Sequence, residues 1–443
     1  MSSNKRKTLQ IRAQLPDVES LKTFNSQLTS MARDHLTFKY GKILDLLNIP
    51  VQIEAVTALA QFYDPPLRCF TFQDFQLAPT LEEFGQILDS PRKKLVPYKG
   101  IGQVPKLKDL AVLLKVSDLS LHFKTERDAL GFRRDYLEKK ATKFANAQNW
   151  ESLGEILALL IFGLVLFPNQ KNFIDVAAIN VFWAVRVNGE DPVPALLADI
   201  YYTLHMRYKK KGGLMLCCVP LLYLWFTSQI FKNIFTIETM NGHDWSQKMM
   251  SLTERSILWY ARKIKERKVT ISCGDFPNVP LIGSRGCINY NPILSIRQLG
   301  YPMLRKPDDE VLKEFVLDDT NTNDLSILQR VIRSWAQVHR KGNELRKRGI
   351  AINEPYSQWI KERVKKIQLP FILIPSSQPS SPEPVPTSVE EVDMLKATIE
   401  RLEKEKEELQ QQLHQTSYER NKFKFDFEKK KKQLNESNGM VEE

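Results

Sequence analysis

Metal chemistry needs nitrogen and sulfur ligands at short fixed spacings, so the six histidines and five cysteines are weighed first. His35, His122, His205, His243, His339 and His414, with Cys69, Cys217, Cys218, Cys273 and Cys287, form no CxxC, HExxH or zinc-knuckle spacing. No metal ligand is assigned. Cys217 and Cys218 sit in an apolar segment and read as small core residues. Gly100-Ile-Gly102 lacks the third glycine of a dinucleotide loop, and neither GxxxxGK(S/T) nor GxSxG occurs. Asn241-Gly-His243-Asp244-Trp245 reads as a polar turn. Catalytic residues and cofactors are therefore both set at none.

Anion recognition leaves better traces. The stretch Cys273-Gly-Asp-Phe-Pro-Asn-Val-Pro280-Leu-Ile-Gly283-Ser-Arg285-Gly286-Cys-Ile-Asn289-Tyr290-Asn291-Pro292 is rich in turn formers. Gly283 and Gly286 bracket Ser284-Arg285, a pattern that could offer free amides and a guanidinium to a phosphate or carboxylate. This loop is the place for the alternative reading, an enzyme or enzyme subunit; the plainer reading is a structural loop over a helical core. The charge map adds a second feature. Residues 201–370 carry 28 basic and 15 acidic groups, net +13, within a chain of formal charge +12. Arg330, Arg333, Arg340 and Lys341 fall opposite the apolar face of an expected helix over residues 325–348, followed by Arg346-Lys347-Arg348. A second cluster holds Arg262, Lys263, Lys265, Arg267 and Lys268. A stripe of this kind neutralises phosphates, which makes Arg262, Lys263, Arg285, Arg330, Arg333, Arg340 and Lys341 the candidate nucleic-acid contacts. A solvated helix face would carry the same charges.

The elements that must position these groups read as mainly α, a helical globular domain with a few short strands. At 443 residues the chain is long enough for two or three units and a large core. Thr80 and Glu83 have capping-box spacing ahead of Leu81, Phe84, Ile87 and Leu88, with Pro91 closing that helix. Asp191, Pro192 and Pro194 open another, whose Leu197, Ile200, Tyr201 and Leu204 share a face and which Lys209, Lys210, Lys211, Gly212 and Gly213 close. Short extended pieces are expected at residues 68–72 and 269–273. The apolar run at 156–167 is too short to span a bilayer and stops at Pro168; the run at 214–226 is broken by Pro220. Both read as core helices, and no membrane partner is expected. The first twenty residues contain no apolar stretch of signal-peptide length, and so few cysteines suit a reducing, intracellular compartment.

The expected organisation is a basic, disordered N-terminus at 1–25, the helical domain at 26–370, a Pro/Ser-rich linker at 371–387, a coiled coil at 388–435 and a disordered tail at 436–443. Val392, Leu395, Ile399, Leu402, Leu409 and Leu413 keep a heptad register, the pattern of a parallel homodimer. The chain then reads as a non-enzymatic scaffold whose helical domain binds a protein or a nucleic acid.

Seven stretches resemble the plant mobile domain-like family, also labelled aminotransferase-like, found in transposon-derived plant proteins. They are FQLAPTLEEFGQIL at 75–88, EILALLIFGLVLFP at 155–168, ALLADIYYTLHMRYKKKGG at 195–213, CCVPLLYLWF at 217–226, CGDFPNVPLIGSRGCINYNP at 273–292, RQLGYPM at 297–303 and SWAQVHRKG at 334–342. The resemblance implies a mobile-element origin, a helical fold, a C-terminal coiled coil and residence in the nucleus. It implies no transamination, because no lysine stands in a pyridoxal-phosphate motif. Asn4-Lys5-Arg6-Lys7 and the lysines at 429–432 are short clusters of the kind that serve nuclear import.

Overall fold

The computed structural model describes residues 6–89, 96–100, 105–259, 268–318, 325–374 and six single positions between 401 and 419. Two units divide the chain, Met1–Ile374 and Pro375–Glu443.

The apolar run at 156–167 sits at the centre of the first unit. It belongs to the helix Trp150–Ile161, which continues as a single π-helical stretch Phe162–Leu166 and ends before Pro168. Asn149 opens it by accepting a hydrogen bond from the Ser152 amide at 3.2 Å. Helices Glu19–Gln27, Ser30–Tyr40, Arg134–Asn146 and Val176–Asn188 surround it. Glu155 is the one carboxylate on its buried face, and it is compensated from three sides. Lys39 reaches it at 2.6 Å, Arg186 at 3.0 Å, and the Tyr40 hydroxyl donates to its other oxygen. A buried charge without such partners would cost several kcal/mol.

The other half of the core is built on the helix Val193–Lys209, which Asp191 caps by accepting from the Val193 amide at 3.0 Å. Against this helix lies a three-stranded antiparallel sheet in the order Val279–Ile282, Gly286–Tyr290, Val316–Asp318. The expected capping box is present at the helix Leu81–Leu88: Thr80 Oγ1 accepts from the Glu83 amide at 3.1 Å, and Glu83 Oε2 accepts from the Thr80 amide at 3.1 Å. The helix Glu354–Ile367 folds back on the strand Tyr63–Asp64 through Arg363, whose Nε donates to the buried Asp64 carboxylate at 2.7 Å. No helix among the described residues is long and apolar enough to cross a membrane.

Three expectations need correction. The fold is mixed α/β, not mainly α: thirteen strands form five small sheets among the described residues. These strands are two to five residues long, and those of the central sheet bury every residue of Val279–Ile282 and Gly286–Tyr290. With both faces covered there is no polar and apolar alternation to read, and Pro280 argues against a strand on composition alone. The N-terminus is also ordered from residue 6 onwards. Gln10–Arg12 pairs in parallel with Gly212–Leu214, and Ile11, Leu21 and Phe24 are buried. Finally, nothing among the described residues supports the coiled coil. Val392, Leu395, Ile399, Leu402, Leu409 and Leu413 lie outside the described residues, and the described positions Arg401, Lys404, Glu408, Gln412, Gln415 and Glu419 are helical and exposed.

Candidate functional site

The Gly283–Gly286 loop is closed. Asp199, itself buried on the Val193–Lys209 helix, accepts from the Ser284 amide at 2.8 Å and from the Ser284 hydroxyl. Arg285 turns inward and donates to the carbonyls of Leu216 and Pro168. Both glycines are needed for close approach. A Cβ on Gly283 would stand 2.2 Å from Asp199 Oδ1, and one on Gly286 would stand 2.6 Å from the Leu317 carbonyl. Burial pushes the Asp199 carboxyl up from its ordinary range, and the nearby Arg285 guanidinium partly offsets this. Arg285 is therefore withdrawn as a nucleic-acid contact, and the loop offers no open anion cradle.

The basic stripe is also rearranged. The helix that was expected to run through residue 348 is Leu325–Ser334, and the chain then turns into the strand Val338–Lys341. Trp335 fixes the turn by donating its indole N–H to the Pro280 carbonyl at 2.9 Å. The Gly274 amide donates to the Gln337 carbonyl at 2.9 Å, which leads into the antiparallel pairing with Val269–Cys273. Arg330 and Arg333 consequently stay on the helix, while Arg340 and Lys341 move to a strand beyond it. Arg330 is engaged already, paired with Asp275 at 2.7 Å and placed over the Phe276 ring at 4.7 Å. Arg333 is exposed. Arg262 and Lys263 lie outside the described residues.

Lys341 does reach a site. It borders a cleft of about 520 Å³ whose wall includes Ile271, Pro292, Ile296 and Met303, and whose rim carries Arg305, Lys306, Lys341 and Arg346 against Asp308 and Glu344. Arg305 faces Asp308 at 3.6 Å and Lys306 pairs with Asp309 at 2.7 Å, both on the open surface where such pairs are worth little. Lys341 and Arg346 make no ion pair among the described residues. Glu344 is turned to the backbone: its carboxylate accepts from the Gly342 amide at 2.8 Å, which holds its carboxyl below the ordinary range. Arg346 has φ 80° and ψ −176°, a backbone region essentially reserved for glycine. Strain of that kind, of order 1–3 kcal/mol per residue, tends to collect at binding sites. Here it falls on one of the two rim cations that make no ion pair among the described residues.

The buried wall of the cleft is polar at two points. Asn278 and Asn291 are 2% and 1% exposed. Asn278 Nδ2 donates to the Lys313 carbonyl at 2.8 Å and the Val311 carbonyl at 3.2 Å, with Asn291 Oδ1 at 3.1 Å. Asn291 Nδ2 donates to the Leu67 carbonyl at 2.8 Å. Two carbonyls can only accept, so the nitrogen of Asn278 must face them. Its Oδ1 accepts nothing among the described residues.

No cysteine lines this cleft. All five cysteines are free and buried. Burial raises every thiol, those of Cys218, Cys273 and Cys287 to about 12. Among the described residues no group of three or more His, Cys, Asp or Glu is placed to hold a metal ion.

The geometry defines a mixed α/β domain with a basic, amide-backed cleft. Residues 21–365 match the family model described as Domain of unknown function (DUF7745), and the chain belongs to that family. No curated protein and no solved structure matches the chain.

Proposed function

We propose that this chain is a binding module, without chemistry of its own, that holds a nucleic acid through the cleft beside Val338–Lys341. One observation carries the reading: four cations rim a concave site, and the two best placed, Lys341 and Arg346, have no ion-pair partner among the described residues. The net charge of +13 over residues 201–370 supplies a long-range attraction for a polyanion. Descent from a mobile element and residence in the nucleus belong to the same proposal, supported by the quoted sequence stretches and by the short basic clusters at 4–7 and 429–432.

The test is binding of the full chain to labelled single-stranded and duplex oligonucleotides across a salt series. Micromolar affinity is expected, with a slope of log K against log salt of roughly −2 to −3 on a single strand and roughly −3 to −4 on duplex for three or four phosphate contacts. Absence of binding at low salt would overturn the reading and turn the search to protein partners.

A further inference from the structure

We propose that the cleft seats one nucleotide, its phosphate against Lys341 and Arg346, its base on the apolar wall, and its exocyclic amine donating to Asn278 Oδ1. The proposal rests on the nucleic-acid reading only for where the nucleotide comes from. The same chemistry is presented by a free nucleotide and by one unit of a single strand.

Four features support it. The volume of about 520 Å³ lies inside the range of roughly 300–1,000 Å³ typical of small-ligand sites, and a duplex about 20 Å wide cannot enter a cleft of that size. The wall formed by Ile271, Pro292 and Ile296 is apolar, which suits the face of a base more than the edge of a sugar. Asn278 is almost fully buried, and its amide is locked by the Val311 and Lys313 carbonyls so that the free arm is an acceptor. An acceptor fixed in that way selects a donor, and the exocyclic amine of adenine or cytosine supplies one where uracil presents a carbonyl oxygen, its own N3–H lying at a different point of the edge. Arg346, finally, holds a glycine-only backbone conformation although it is an arginine. If the loop had to satisfy only its own fold, glycine would serve better at that position; a guanidinium kept there at a cost in strain points to a ligand.

The decisive variant is Arg346→Gly, because it removes the guanidinium while relieving the backbone, so that loss of binding cannot be put down to loss of folding. Titrations of the full chain would use AMP, UMP, inorganic phosphate and a labelled oligoadenylate. Native protein should bind AMP about fivefold more tightly than UMP, the worth of one ordinary hydrogen bond. Arg346→Gly should weaken AMP and oligoadenylate together, by about tenfold, at an unchanged or higher Tm. If oligoadenylate binds with a steep salt dependence and loses affinity in Arg346→Gly while AMP neither binds nor competes, the nucleotide seat is overturned and the nucleic-acid reading survives; if Arg346→Gly changes nothing, both are overturned. If inorganic phosphate competes as well as AMP, the base is not recognised and the seat is likewise overturned. Binding of AMP with none of oligoadenylate would uphold the seat as a free-nucleotide site and end the nucleic-acid reading. If neither binds, both fall.

Discussion

Two arginines, sixty-one positions apart, mark two regions with opposite solutions to the same problem. Arg285 lies between glycines, the local pattern of an anion cradle, yet its guanidinium is spent on the carbonyls of Leu216 and Pro168 and its loop is sealed against Asp199. Arg346 lies in a plain basic run, yet it stands at the edge of a cleft on a strained backbone with no ion-pair partner among the described residues. The same segment, residues 273–292, feeds both regions: it provides the closed loop at 283–286 and, at either end, the asparagines that back the open cleft. Local sequence set the conformations. Distant chain decided the rest: the carbonyls of Pro168 and Leu216 receive Arg285, and the cleft that Arg346 borders is lined also by residues 302–308.

The contrast can be broken most sharply at Asp199. Asp199→Ala leaves the Ser284 amide and hydroxyl without their acceptor and should cost about 3 kcal/mol in chemical denaturation, with no change in nucleic-acid affinity. Gly283→Ala drives a methyl into Asp199 Oδ1 and should cost about 2 kcal/mol. Should either variant leave stability untouched, the loop is not the internal strut described here.

The pH dependence of Asp199 sharpens the same point. Its carboxyl is raised in the folded protein, so the fold binds that proton more tightly than the unfolded chain does. The contribution of Asp199 to stability is therefore fullest below the ordinary aspartate range and is lost as pH rises through the raised value. Relative to Asp199→Asn, the native protein should gain stability on acidification. A native protein that loses stability relative to that variant as pH falls would contradict the assigned direction.

At the cleft the expected stability effect is smaller and of opposite sign. Arg346→Gly should raise stability by about 1 kcal/mol, strain relief being partly offset by the greater freedom of glycine in the unfolded chain. Arg285→Gly should lower it. The least of the effects is on salt dependence: Lys341→Ala should reduce the slope of log K against log salt by about 1, and Lys306→Ala by less, because Lys306 already pairs with Asp309.

Much of the helical framework was legible. The Thr80–Glu83 box, the stop at Pro168 and the Asp191-led start at residue 193 all rest on contacts within a few residues, which local spacing encodes. The sheets were not legible, because strands as short as Gln76–Leu77 or as fully buried as Gly286–Tyr290 carry no period. The helix over 325–348 was extended too far for a related reason. Leu325, Leu328, Ile332, Trp335 and Val338 keep helical spacing past Ser334, but Trp335 finds its hydrogen bond at Pro280 and the chain turns there. Of the candidate contacts, Lys341 reached the cleft, Arg285 did not, and Arg305, Lys306, Asn278 and Asn291 were passed over. The asparagines acquire their meaning only from the Leu67, Val311 and Lys313 carbonyls, which no local pattern reveals.

The central claim is that the cleft, and not basic charge in general, holds the ligand. It is tested most directly by comparing Arg346→Glu with Arg333→Glu in full-length protein, measuring affinity for one labelled single-stranded oligonucleotide at fixed salt. Both variants change the net charge equally, while Arg346 borders the cleft and Arg333 sits exposed on the Leu325–Ser334 helix. A loss of about tenfold or more, roughly that of a charge-assisted contact, is expected for Arg346→Glu and a loss of about twofold for Arg333→Glu. Equal losses, or the larger loss at Arg333, would contradict that claim.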